Sequence, residues 1–256
     1  MKKLAIVLAV MTVLVAASPL SAFNYGIMFG ELAVSPANAD DIFGDGMASY
    51  NASENMLILQ DGFEYHLSRG LVTVNTGRSF RIVLEGDATF VASIESSDPI
   101  VVEAVDDALL SITSNISGSA LKCQSLTVNS GVTMKLLSRN SQNNMYALDC
   151  DELTVNEAIF NAEVTTAQLA VATHRMNLNR CWLEKPRGGG VNETWGGICF
   201  ADGAPAKIIR IIVEGYGVEE TEDGQNAKAE KLFEDGRIVI VKDGKRYDVT
   251  GRELPN

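Results

Sequence analysis

The chain has 256 residues, with 33 acidic against 21 basic side chains and a formal net charge of −12. That balance argues against nucleic-acid binding, whose phosphate contacts need a basic face. Charged residues at 21% and apolar residues at 46% describe a folded chain rather than a disordered one. Only two histidines are present, His66 and His174, too few for a histidine-rich metal centre or a choice of His-dependent triads. No cofactor is expected.

In chain order, the first 22 residues read as a signal peptide. Lys2 and Lys3 form a positive start, Leu4 to Ala17 is an apolar run, and Ser18-Pro19-Leu20-Ser21-Ala22 supplies a break and small residues for cleavage. The run is too short for a comfortable bilayer span. No cysteine follows it directly, which argues against a lipid anchor. A second small-x-small site, Ala37-Asn38-Ala39, lies too far from the run to be preferred. Removing residues 1–22 takes away two lysines and leaves −14. The protein is expected at the cell surface or outside the cell, with the periplasm as the alternative.

Residues 23–60 are expected to open the fold, with strands at Tyr25 to Gly30 and Met56 to Leu59 around a Gly44-Asp45-Gly46 turn. Beyond them the chain repeats itself. Residues 72–83 (VTVNTGRSFRIV) match 126–137 (LTVNSGVTMKLL) at an offset of 54, and 120–129 (ALKCQSLTVN) match 147–156 (ALDCDELTVN) at 27. A further copy, AVATHRMNLN, occupies 170–179, and GICF at 197–200 reads as the start of another. Such periods mean stacked supersecondary units. The units are short runs rich in valine, isoleucine, leucine and threonine, punctuated by glycine, asparagine and serine: Leu71–Val74, Phe80–Leu84, Leu126–Val128, Met134–Leu137, Leu153–Val155 and Ile208–Val213. With no helical periodicity between them, the pattern predicts an all-β parallel β-helix, right-handed by the general preference of crossovers, over residues 23–215. At that period it would make roughly seven rungs.

Stacking places like residues in columns about 4.8 Å apart. Asn129, Asn156 and Asn179 fall in one column, with Asn75 two rungs earlier and an interruption at Val102. Cys123 and Cys150 share another, continued by Thr173 and Phe200, while Cys181 and Cys199 stand elsewhere. Four cysteines in an exported protein permit three pairings. Side-by-side side chains pointing the same way suit a disulfide poorly, so buried thiols are the expected state.

Leu183 to Gly197 departs from the pattern as a glycine-rich insertion, where binding residues commonly sit on a regular scaffold. Trp182, Trp195 and Tyr146 are candidate sugar-stacking rings, with Arg187, Asn192 and Glu193 as candidate hydrogen-bonding partners. These residues point to a non-catalytic glycan-binding or adhesive protein, a glycan or surface protein as its partner, and a monomer. The competing class is a polysaccharide lyase or glycoside hydrolase. Its candidates are the acids Asp149, Asp151 and Glu152, and Asp106 and Asp107 on an earlier rung, with His174 as a base. No acidic column continues beyond them, which favours the binding class.

Residues 216–229 are polar and acidic, a linker. Residues 230–256 read as a small hairpin module, with a strand over Phe233 to Val241, a turn at Lys242-Asp243-Gly244-Lys245 and a return strand over Arg246 to Val249.

These segments resemble exported β-helical proteins of the Bacteroidetes bacteria. Gly44-Asp45-Gly46 with Ser49-Tyr50-Asn51 and Asn55 to Leu59 is similar to that group's opening, and Ile82 to Thr89 is similar to one of its strands. The ending Tyr247-Asp248-Val249-Thr250-Gly251-Arg252 resembles type IX secretion sorting signals. The resemblance implies the β-helix, export, and a contact of residues 230–256 with outer-membrane secretion machinery.

Overall fold

The computed structural model describes residues 24–214, except 116–117, 140–144 and the side chains of 68–69, and the backbone of four strands between 230 and 254. The expected signal peptide and the linker at 216–229 lie outside the described residues. The chain divides into two compact units, Met1–Gly217 and Val218–Asn256.

Strands β1 (Ile27–Phe29), β2 (Leu32–Ala33) and β3 (Ala48–Asn51) open the first unit. Next come β4 (Met56–Leu59), β5 (Phe63–Val74), β6 (Phe80–Leu84), β7 (Ala88–Ser96), β8 (Ile100–Ala104) and β9 (Ala108–Ser114). The chain continues through β10 (Leu121–Lys122), β11 (Ser125–Val128), β12 (Val132–Ser138), β13 (Leu148–Asp149), β14 (Glu152–Asn156) and β15 (Ile159–Val164). It closes with β16 (Val171–Ala172), β17 (Arg175–Asn179), β18 (Cys181–Lys185), β19 (Gly190–Asn192), β20 (Gly197–Cys199) and β21 (Ile208–Val213).

No helix occurs among the described residues, and the strands form a β-solenoid of about five turns with mostly parallel pairing. One sheet runs β17-β14-β11-β8-β6-β4-β3. The other wraps a corner, because β7 pairs with β9 through Ala88–Phe90 and with β10 through Ile94–Glu95. Each turn therefore presents three faces to its neighbours. Alternation puts every second side chain inside, where equivalent residues stack. Ile100, Leu126 and Leu153 form one fully buried column, and Leu110, Met134 and Phe160 form another. Strand alternation and stacking together make the core a bundle of apolar columns.

The strands expected from sequence are present, but the turn count and several columns differ. The repeat length is elastic, from 20 residues between Phe80 and Ile100 to 27 between Leu126 and Leu153. Parallel stacking stops near Asn179 instead of Val213. Strand β21 runs antiparallel between β15 and β18, and β20 pairs antiparallel with β16 at Ala172 and Gly197. GICF thus starts a cap, not a rung, and about five turns replace seven. Phe200, expected in the Cys123 column, is 48% exposed in the turn after β20. Asn75 follows β5 at a different corner and bonds to Ser97, so it does not belong to the Asn129 column. The 54-residue match arose because two corners use the same Thr-Val-Asn turn chemistry.

The N-terminal end closes in a similar antiparallel manner. Strand β3 pairs antiparallel with β4, and β1 with β5. Gly26 has φ +78°, and a Cβ there would sit 1.9 Å from the Asn75 carbonyl oxygen, so this approach requires glycine. Aromatic rings fill the end, with Phe29 against Phe43 at 5.1 Å, Phe43 against Tyr65 at 5.5 Å, and Phe63 against Phe90 at 5.3 Å.

All four cysteines are free thiols and buried. Cys150 stacks between Cys123 and Thr173, with its Sγ 3.8 Å from the Thr173 hydroxyl. In the second unit, β22 (Glu230–Glu234), β23 (Arg237–Lys242), β24 (Lys245–Tyr247) and β25 (Glu253–Leu254) form a four-stranded antiparallel sheet. The run Phe233 to Val241, read from sequence as one strand, is two strands paired back on each other, Phe233 opposite Ile238.

Candidate functional site

The C-terminal cap holds the residues that the sequence marks for binding. Trp182 lies on β18 opposite Ile212 of β21 and is 36% exposed. Arg187 is exposed in the loop between β18 and β19. Strands β19 and β20 form a hairpin whose tip is 193–196. The side-chain oxygen of Asn192 accepts from the backbone N–H groups of Thr194 (3.0 Å) and Trp195 (3.2 Å), and the Gly196 N–H donates to the Asn192 carbonyl at 2.8 Å. Asparagine is suited to this work because its short amide mimics a backbone turn. Asn192 therefore shapes the tip, and Glu193 and Trp195 project from it, Trp195 at 46% exposure.

Gly197 anchors the same hairpin to the coil. A Cβ at that position would lie 2.3 Å from the Val171 carbonyl oxygen, so only glycine lets β20 sit on β16. No ring contact joins Trp182 to Trp195 among the described residues. Tyr146 is half-buried on the approach to β13, its N–H donating to the Ser119 hydroxyl at 3.3 Å. Phe200, expected in a buried column and not at a binding surface, adds an exposed ring in the adjoining turn. Its place in a repeat-like segment hid it.

A groove of about 520 Å³ runs along one corner of the coil, lined by Glu103, Asn129, Asn156, Glu157, Asn179 and Arg180 among others. The expected asparagine ladder is its floor. The Asn179 amide donates to the Asn156 side-chain oxygen at 2.6 Å, Asn156 to Asn129 at 2.8 Å, and Asn129 to a Glu103 carboxylate oxygen at 3.3 Å. The asparagine column is interrupted one turn earlier as expected, but at Glu103 and not at Val102, because Val102 aligns with Val128. A repeat of 26 rather than 27 residues concealed this from sequence alignment. At the rim, Glu157 and Arg180 hold left-handed backbone (φ 50° and 54°) and pair at 3.2 Å.

Of the acids considered for catalysis, Asp149, Asp151 and Glu152 are each matched with a neighbour on an adjacent turn, while Asp106 and Asp107 are exposed in the turn before β9. Asp149 meets Lys122 at 3.6 Å, Asp151 meets His174 at 3.7 Å, and Glu152 meets Arg175 at 3.2 Å while accepting from Asn177 at 2.6 Å. These are exposed cross-strand pairs, the sort that adjust register and add little stability. Among the described residues, no group of three or more His, Cys, Asp or Glu side chains is placed to hold a metal.

The chain matches no known protein family, no curated protein and no solved structure.

Proposed function

We propose that the protein is an exported, non-catalytic surface or secreted protein that binds a glycan through the loops closing the C-terminal end of its solenoid. The observation that carries this reading is Trp195. An indole left 46% exposed on a hairpin tip tied by Asn192 is costly to keep in water and ready to cover a sugar face. Trp182 and Phe200 supply further exposed rings on the same cap, and Arg187 and Glu193 supply polar groups able to orient a ligand. Export is supported by the character of residues 1–22, and surface delivery through secretion machinery by the resemblance of residues 247–252 to a sorting signal.

The lyase or hydrolase reading gains nothing from Asp149, Asp151 and Glu152, which face basic or amide partners on adjacent turns, nor from Asp106 and Asp107, which line neither concavity of the coil. A glycan array probed with the full chain and with Trp195→Ala tests the proposal, alongside an assay for new reducing ends. Binding that the substitution abolishes, without release of reducing ends, is the expected result. Binding unchanged by Trp195→Ala, or turnover of a polysaccharide, contradicts it.

A further inference from the structure

At the opposite end of the coil a second concavity, about 470 Å³, forms where three distant segments meet. Asn24 and Tyr25 come from the first strand's approach, Tyr50 from β3, and Asn75, Thr76 and Arg78 from the turn after β5. Its lining carries one cation, Arg78, and no carboxylate, in a chain of net charge −12. Behind it, Asp98 is buried and turned inward. One of its oxygens accepts from the Thr76 and Gly77 N–H groups at 2.6 and 3.0 Å and from the Thr76 hydroxyl at 3.0 Å.

The cleft is built rather than accidental. Asn55, 1% exposed, accepts from the Tyr50 hydroxyl at 2.6 Å and donates to the Thr76 hydroxyl and to the Arg78 and Ser79 carbonyls. Arg78 in turn donates to the Ala52 and Ser53 carbonyls, which fixes its guanidinium beside the Tyr50 ring. A guanidinium has five N–H donors in a rigid fork, so others stay available for an oxyanion. Asn75 is exposed, and its side-chain oxygen accepts from Ser97 at 3.1 Å, which turns its NH2 group toward the remaining space. Asn24 is arranged likewise, its oxygen accepting from the Gly26 N–H at 3.0 Å. Tyr25 is half-buried and packs on Tyr50 with ring centroids 5.0 Å apart.

The free polar groups here are therefore donors, grouped around one cation and beside an aromatic face. We propose that this cleft binds a uronate-bearing saccharide, Arg78 and the Asn24 and Asn75 amides holding the carboxylate while the Tyr25 ring covers the sugar. The chemistry follows from planar guanidinium recognition of carboxylates and from ring-to-sugar apolar contact. The site is separate from the C-terminal loops and stands or falls independently of them.

Titration calorimetry of the full secreted chain with hexagalacturonate, hexamannuronate, a methyl-esterified hexagalacturonate and acetate tests this. One of the two acidic hexamers should bind, and the ester and acetate should bind at least tenfold more weakly. Arg78→Gln should weaken binding about tenfold or more, the factor that 1.4 kcal/mol represents. Because Arg78 also ties the Ala52–Ser53 turn, Asn75→Asp is the second variant. It keeps the oxygen that accepts from Ser97 and replaces the free NH2 with negative charge, so it should cost a similar factor at unchanged melting temperature. Trp195→Ala should leave this binding intact. Binding of neither hexamer, equal binding of acid, ester and acetate, or full affinity in both the Arg78 and Asn75 variants would overturn the proposal.

Discussion

The two ends of the solenoid solve one problem in different ways. A stack of parallel turns exposes apolar columns and unpaired strand edges at each end, a liability for any β-sheet protein. Both ends carry antiparallel strands, but the N-terminal end is in addition plugged by aromatic rings, with Phe29 and Phe63 buried and Asn55 stitching three segments together. The C-terminal end is covered by antiparallel strands and a glycine-dependent hairpin, and it leaves rings outside. Interior positions record the contrast. Leu153 and Val155 are fully buried, whereas Met176 and Leu178, one turn further on, are only partly buried. One end is closed by packing and the other by loops, and loops leave room for recognition.

The largest expected effect lies at the plugged end. Phe63→Ala should destabilise the coil by about 4 kcal/mol, because a buried ring is lost from a cluster that cannot collapse freely. Chemical denaturation would read it, and a loss below about 1 kcal/mol would remove the plug from the account. Asn55→Ala should follow at about 3 kcal/mol, since it removes the acceptor of the buried Tyr50 hydroxyl and the donor to the Ser79 carbonyl and places alanine at φ 55°. At the C-terminal end, Met176→Ala should cost about 1 kcal/mol, against about 3 kcal/mol for Leu153→Ala one turn inside. Equal losses at the two positions would mean that the last turn is as enclosed as the one before it.

A smaller effect concerns alkaline pH. The hydrogen bond with Cys150, together with burial, pushes the Cys123 thiol well above its ordinary range, and burial also raises the phenols of Tyr50 and Tyr65. For these acids the folded state holds the proton more tightly than the unfolded chain. Their contribution is thus complete below the ordinary thiol value of about 8.5 and declines as pH rises above it. Stability should be level to about pH 8.5 and fall beyond, and Cys123→Ala should flatten the first part of that fall. A fall that begins in the neutral range would contradict the assignment.

Much of the coil was legible in sequence because stacking imposes local likeness. Strands at Met56–Leu59, Phe80–Leu84 and Ile208–Val213 are marked by apolar runs, and the 27-residue offset between Leu126 and Leu153 is the true register. What was not legible depends on direction and on distance. A strand reads the same whether it continues a parallel stack or reverses to cap it, so Gly197–Cys199 and Ile208–Val213 passed for further rungs. Corners built with the same turn residues look equivalent, which misplaced Asn75. The tryptophan-bearing loop was visible as a break in the repeat. The cleft around Arg78 was not, since no sequence pattern links residues 24, 50 and 78 before the coil brings them together.

Vertical stacking of equivalent residues remains the claim from which both ends and both sites derive. Interstrand nuclear Overhauser effects from a labelled sample address it most directly, at the pairs Thr127–Thr154 and Thr154–Asn177 on the outer surface of neighbouring turns. Backbone contacts at those pairs, each aligned without a shift, are the predicted result. Contacts displaced by a residue or more, or contacts joining Thr127 to an antiparallel partner, would contradict the solenoid described here.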